Sequence, residues 1–138
     1  MYVIVVGAEK EGQRFVEIAQ EHNHEVTLID ASEEKARQVL KNSDVRVLVG
    51  SIADNDILQE AEVSRADAVV AATYDDAQNL MAMVLAQEHQ VANLVSLVNQ
   101  DSHGQIFQNL GVQVLSNPAR VIASRLYECL EEDKAAND

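Results

Sequence analysis

Short runs that are almost wholly apolar alternate along the chain with longer segments in which apolar residues recur every three or four positions. The runs are Tyr2–Val6, Val26–Ile29, Arg46–Val49, Ala68–Ala71, Leu94–Val98 and Val112–Leu115. They are rich in β-branched residues and mostly lack polar alternation, the pattern of parallel strands covered by helices on both faces. Between them, Phe15, Ile18 and Ala19 form one helical stripe, and Ala36, Val39 and Leu40 a second. Leu80, Met81, Val84 and Leu85 form a third, and Ile106, Phe107 and Leu110 a fourth. The helix punctuation agrees. Ser32 before Glu33-Glu34 reads as an N-cap with acids in the first turn, and Asp54 is placed to cap a short segment ending near Ala61. Ser102 with Gln105 fits a capping box, and Gly111 follows Leu110 as a helix stop. Asn117-Pro118 opens a last helix expected to reach about Leu130.

Six strands separated by helices imply an open parallel sheet with right-handed crossovers. The expected architecture is α/β, a Rossmann-type doubly wound parallel six-stranded sheet in the order 3-2-1-4-5-6. Residues 1–132 read as one domain, and residues 133–138 as a polar tail that frays.

Composition narrows the class. The 138 residues suffice for one domain, and a hydrophobic fraction of 47% supports an ordinary core. Cys129 is the single cysteine, so an internal disulfide is excluded and a reducing, cytoplasmic setting is expected. No apolar run approaches the roughly 18 residues of a membrane span, and the immediate entry into Tyr2–Val6 leaves no room for a signal peptide. The net charge of −13 argues against nucleic acid and anionic membrane surfaces as partners. Lys10, Lys35, Lys41 and Lys134 are scattered and form no patch.

The chemistry concentrates at "VVGAEKEGQR". Gly7 ends the first apolar run and Gly12 opens the next helix. A mononucleotide phosphate loop would need lysine and a hydroxyl where Gln13 and Arg14 stand, so that reading fails. A dinucleotide turn fits better. Gly7 makes the tight turn, Gly12 lets helix and sheet approach, and the amides of Lys10–Gly12 with the helix dipole favour an anion. Asp30 lies 18 residues beyond Gly12 and ends the second strand, where a carboxylate holds ribose hydroxyls. Glu9 occupies the place of the middle glycine. Two like charges ~4 Å apart at an effective dielectric of 20 repel by about 4 kcal/mol, which Lys10 or rotation of Glu9 into water would partly offset. Weaker pyrophosphate binding is the consequence, with less effect on a ligand held by its adenosine half.

Taken in order, the motifs resemble the nucleotide-binding N-terminal (RCK, KTN or TrkA-N) domain of Trk-type potassium-uptake regulators. "YVIVVGAEKEG" is similar to that family's first strand and turn, and "HEVTLIDAS" to its second strand with the ribose acid. "VLVGSIADNDILQEAEVSRADAVVAAT" is similar to the third strand, its glycine-led loop and the fourth strand, and "YDDAQNLMA" to the start of the next helix. "LVSLVNQ" and "FQNLGVQVLSNPARVIASRL" resemble the fifth strand and the end of the domain, so the likeness covers roughly residues 1–130. The resemblance implies a cytoplasmic module that binds NAD(H) or AMP, ADP or ATP and gates a membrane potassium transporter or channel subunit. Carried onto this sequence, Gly7, Ala8 and Gly12 would line the phosphates, with Glu9 and Lys10 in the same turn. Asp30, followed by Ala31, would hold the ribose, and Gly50, Ser51 and Ile52 would edge the adenine. Ala72 and Thr73 would meet the middle of the ligand, with Asn79 nearby. Glu9 departs from the pattern, as does Leu97, which stands where many members carry an arginine. Both changes predict weaker binding of NAD or ATP and leave AMP, an adenosine-like ligand or an empty crevice open. The family's usual second domain is absent, so the sequence reads as a stand-alone unit or a fragment.

Other readings compete. Similar domains head some phosphoesterases, and dehydrogenases share the fold; but hydride transfer needs a substrate pocket and an acid–base residue, for which no chain remains. No catalysis is therefore expected. His22 and His24 lack a third ligand, and Asp75-Asp76 precede a helix, so no metal site is expected. Cys129 shares a face with Ile122, Leu126 and Leu130, consistent with core or interface packing. The segment Tyr74–His89 is apolar beyond one stripe and predicts a contact surface, most simply a homodimer, with Val121–Leu130 as a second candidate. A dimerisation module with a degenerate site is a further alternative.

Overall fold

All five residues of β1 (Tyr2–Val6) are buried, because this strand lies at the centre of the sheet with both faces covered. The computed structural model describes residues 1–54 and 56–137. After β1 come α1 (Lys10–Glu21), β2 (Glu25–Asp30), α2 (Glu33–Asn42), β3 (Arg46–Val49) and α3 (Ile57–Glu60). The second half holds β4 (Ala68–Ala71), α4 (Asp76–Glu88), β5 (Asn93–Val98), α5 (Gly104–Asn109), β6 (Gln113–Ser116) and α6 (Pro118–Asn137). The six strands are parallel in the order β3-β2-β1-β4-β5-β6, as the alternating pattern predicts.

Strand alternation divides the core. Ile4 and Val6 face one side with Val69, Met83 and Phe107, under α4 and α5. Val3 and Val5 face the other with Val16, Ala19, Leu28 and Val39, under α1 and α2. Each such fully buried aliphatic side chain stabilises the fold by about 1.5–3 kcal/mol relative to exposure. Register then sets the site. Val6 aligns with Ile29 on one side and Ala71 on the other, so β1, β2 and β4 end nearly level. The chain leaves β1 to build β2 and β3 on one side and returns to build β4 on the other. A crevice opens where the order reverses, as this topology requires.

Several local expectations are corrected. Ser32 does cap α2, accepting from the Lys35 amide at 3.3 Å, but among the described residues the side chain of Asp54 caps nothing. Its carbonyl accepts from the Ile57 amide instead. Ser102 forms no capping box, because Asp101–His103 is a 3₁₀ turn leading into α5 without a side-chain cap. The buried face of α1 is Gly12, Val16 and Ala19, with Ile18 exposed. Leu40 and Ile106 are likewise exposed. α6 continues past Leu130 to Asn137, so the expected tail is helical through that residue, and Asp138 lies outside the described residues.

The two candidate contact helices differ. α4 buries Asn79, Ala82, Met83 and Ala86 and half-buries Leu80, Val84 and Leu85. Only Met81 among its large apolar residues is exposed. On α6, Val121, Ile122, Leu126, Tyr127 and Leu130 are between 51% and 67% exposed, and Cys129 is exposed beside them. Core packing of Cys129 is thus excluded. Among the described residues no helix is long and apolar enough to cross a membrane.

Candidate functional site

Gly7 leaves β1 with φ +113°, a conformation open to glycine. A Cβ there would lie 2.8 Å from Thr73 Cγ2 and 2.9 Å from the Ala72 carbonyl carbon, so the turn lies directly on the end of β4. Gly12 lies beneath the same turn, where a Cβ would fall 1.9 Å from the Gly7 carbonyl oxygen. The two glycines therefore set how closely β1, α1 and β4 meet. Glu9, the residue before α1, has φ −69° and ψ 176°, ordinary extended backbone that does not require glycine. The first hydrogen bond inside α1 runs from the Gln13 amide to the Glu9 carbonyl at 2.9 Å. The amides of Lys10, Glu11 and Gly12 precede it without intrahelical acceptors, which gives this end of the helix its positive character.

Asp30 ends β2 beside that turn. Its Oδ2 accepts from the Ala8 amide and its Oδ1 from the Ser32 amide, each at 2.7 Å. Each carboxylate oxygen keeps a further lone pair for a ligand hydroxyl. Glu9 does not stand free above the turn. Lys35, in the first turn of α2, donates to Glu9 Oε1, and this contact is the main reason its ammonium is held above the ordinary lysine range. The expected repulsion from Glu9 is therefore offset, by Lys35 and not by Lys10. Lys35 is 42% exposed, so the pair itself contributes no more than about 1 kcal/mol.

The crevice encloses about 380 Å³. Eight expected residues line it: Gly7, Glu9, Asp30, Ala31, Gly50, Ser51, Ile52 and Thr73. The other five lie around it. Ala8 is buried and reaches Asp30 by its amide, Gly12 and Ala72 are buried beneath the turn, and Lys10 is exposed on α1. Asn79 is fully buried and braces the β4–α4 loop. Its Oδ1 accepts from the Thr73 amide at 3.1 Å and from Thr73 Oγ1 at 2.6 Å, and its Nδ2 donates to the carbonyls of Thr73 and Leu97.

Sequence reasoning missed Ser32, Lys35, Tyr74, Asp75 and Gln78, which also line the crevice. Tyr74 donates to Glu11 Oε2 at 2.8 Å, and this bond is the chief cause of its phenol being pushed up to about 12. Asp75 caps α4 through the amides of Ala77 and Gln78. Ser32 and Asp75 carried a sequence signal as helix caps; Lys35 and Tyr74 carried none. The side chain of Leu97 does not reach this crevice. It lines a separate apolar groove of about 350 Å³ with Phe15, Leu115, Val121 and Ile122. No group of three metal-ligating side chains converges among the described residues, and His22 and His24 stack on each other with ring centroids 6.5 Å apart.

The sequence model of the TrkA-N domain matches residues 3–118, most of the chain. The chain belongs to the TrkA-N domain family. It is 29% identical over 137 residues to a Trk system potassium uptake protein TrkA homolog of Methanothermobacter thermautotrophicus, covering 99% of this chain and 63% of that protein. Against the first four curated relatives, this TrkA-N chain spans between 30% and 63% of their length. Among solved structures it is similar to the Shewanella denitrificans Kef CTD in AMP-bound form. The TM-score is 0.79 at 21% identity, over 95% of this chain and 80% of that one. It is also similar to the GsuK channel bound to NAD, with TM-score 0.73 at 17% identity, over 83% of this chain and 21% of that one. At these identities the structural likeness establishes the TrkA-N fold.

Proposed function

We propose that this TrkA-N chain is a regulatory domain that binds NAD(H) or an adenine nucleotide and controls potassium transport, without catalysis of its own. The observation that carries the reading is the direct bond between Asp30 and the Ala8 amide. It holds a carboxylate suited to sugar hydroxyls beside the turn that leads into the amides of Lys10–Gly12, and one ligand would span both. Gly50, Ser51 and Ile52 would border the adenine, Asp30 and Ala31 the ribose, and Thr73 the far end of the ligand. Gly7, Gly12, Ala72 and Asn79 would act by holding those surfaces in place. Glu9 would weaken binding of the pyrophosphate ligands, whereas Leu97 faces a separate groove.

The potassium assignment is supported by the curated relatives, which are Trk system potassium uptake proteins. The partner would be a membrane transporter or channel subunit met on the cytoplasmic side, with a second copy of this chain covering the apolar face of α6. Ligand binding would then favour one arrangement of the pair by no more than its difference in affinity for the two.

A thermal-shift panel of NAD, NADH, AMP, ADP and ATP tests the reading. Ligand at 100 times its Kd stabilises the fold by about 2.7 kcal/mol. A rise in Tm with AMP that vanishes in Asp30→Ala is expected. Turnover of NADH with carbonyl substrates would argue for an oxidoreductase instead.

A further inference from the structure

Among the described residues the crevice holds one cation and three acids. Lys35 lines it together with Glu9, Asp30 and Asp75, and Lys10 on the expected turn does not. A phosphate entering here finds a net negative wall unless the single ammonium turns to it. That ammonium is occupied by Glu9, the residue standing where a pyrophosphate would otherwise meet bare backbone. Asp30 and Glu34 also lie near enough to favour the charge on Lys35, and neither displaces Glu9 as its hydrogen-bonding partner. The pair is readily exchanged. Both side chains reach solvent, Lys35 at 42% and Glu9 at 23%, and the long lysine stem pivots from the first turn of α2.

We propose that Lys35 is the cation that takes the ligand's phosphate and that Glu9 is its resident competitor. Binding an adenine nucleotide then exchanges a carboxylate for a phosphate on the same ammonium. This rests on the nucleotide reading of the crevice and adds a specificity element that the glycine pattern does not contain. Glu9 keeps Lys35 positioned while the crevice is empty. Phosphate, with more negative charge and more acceptor oxygens, wins the ammonium when the adenosine half is seated on Asp30 and Gly50–Ile52. The released Glu9 side chain turns to water. Adenosine, with no phosphate, leaves the pair intact.

Isothermal titration with AMP and adenosine on the wild type, Glu9→Gln, Lys35→Met and the double variant decides between the roles open to Lys35. Adenosine reports that each variant folds and keeps its sugar and base contacts. Glu9→Gln is expected to raise AMP affinity about fivefold and leave adenosine unchanged. Lys35→Met placed on Glu9→Gln is expected to lower AMP affinity about tenfold, again sparing adenosine. If that second step leaves AMP unchanged, Lys35 merely neutralises Glu9 and the assignment is overturned while the nucleotide reading stands. If neither ligand binds any of the four proteins, both fall.

Discussion

The Ala8 amide donates to Asp30 Oδ2 at 2.7 Å, joining the turn after β1 to the end of β2. Asp30 thus has two roles. It holds the loop in shape through Ala8 and Ser32, and it presents its remaining lone pairs to the crevice. Replacing it with alanine leaves two amides without their acceptor, a loss of about 1–3 kcal/mol where the site stays dry. Asp30→Ala is therefore expected to lower the denaturant midpoint of the free protein and to abolish its stabilisation by AMP. A variant that loses stability yet keeps a full ligand response would show that Asp30 is structural only.

The three positions of the turn should respond differently to substitution. Gly12→Ala places a methyl 1.9 Å from the Gly7 carbonyl oxygen, and Gly7→Ala combines a left-handed φ with contact to Ala72 and Thr73. Each is expected to destabilise by more than about 2 kcal/mol in urea unfolding, since backbone must move. Glu9→Gly meets no such obstacle and loses one partly exposed ion pair. Its effect should stay within about 1 kcal/mol. The same Glu9→Gly variant should bind NAD more tightly than the wild type, readable by isothermal titration.

Asp76 opens α4 and ties it to the loop after β5. Its carboxylate, 7% exposed, accepts from the amides of Asn99 and Gln100, from Asn99 Nδ2, and from His103 Nδ1 at 2.7 Å. Burial pushes this carboxyl up, but the Asn99 amide, the His103 ring and the other donors outweigh it and hold it below the ordinary 3.8. A folded value below the unfolded one means that the unfolded chain takes up the proton more readily. The stability Asp76 supplies is then complete above its unfolded value and disappears as pH falls through the folded value. Wild type should exceed Asp76→Ala by about 2 kcal/mol at pH 6, with the gap closing below about pH 4 in urea titrations.

The sheet was legible because its strands are apolar on both faces, a pattern that has few other uses. The glycine turn and Asp30 were legible too, since both lie at the ends of strands whose neighbours the alternation already orders. Helix faces were less so. Of the expected stripe Phe15, Ile18 and Ala19, Ala19 is buried and Phe15 packs partly buried on the core, but Ile18 is exposed and Val16 is buried instead, because Gly12 pulls the start of α1 onto the turn. Lys35 could not be read as the partner of Glu9. They are separated by all of α1, by β2 and by the start of α2, and their meeting depends on where two helices enter the crevice. Leu97 stands where a cation was expected from the family resemblance, yet its side chain faces a different groove, between β5 and the start of α6, which only the fold reveals.

The row on α6 bears on assembly. Leu126 and Leu130 are 64% and 67% exposed, and Val121 and Ile122 continue the row into the groove that Leu97 lines. If a second copy covers this row, Leu126→Lys should shift sedimentation from dimer toward monomer while circular dichroism stays native. A wild type that remains monomeric at high concentration would rule out the self-association.

The decisive experiment on the nucleotide crevice is a crystal structure of the protein with AMP. The ribose hydroxyls are expected on Asp30, the adenine against Gly50–Ile52, and the phosphate before the amides of Lys10–Gly12 with Lys35 turned to it. Nucleotide density confined to another surface, with this crevice empty, would refute the assignment.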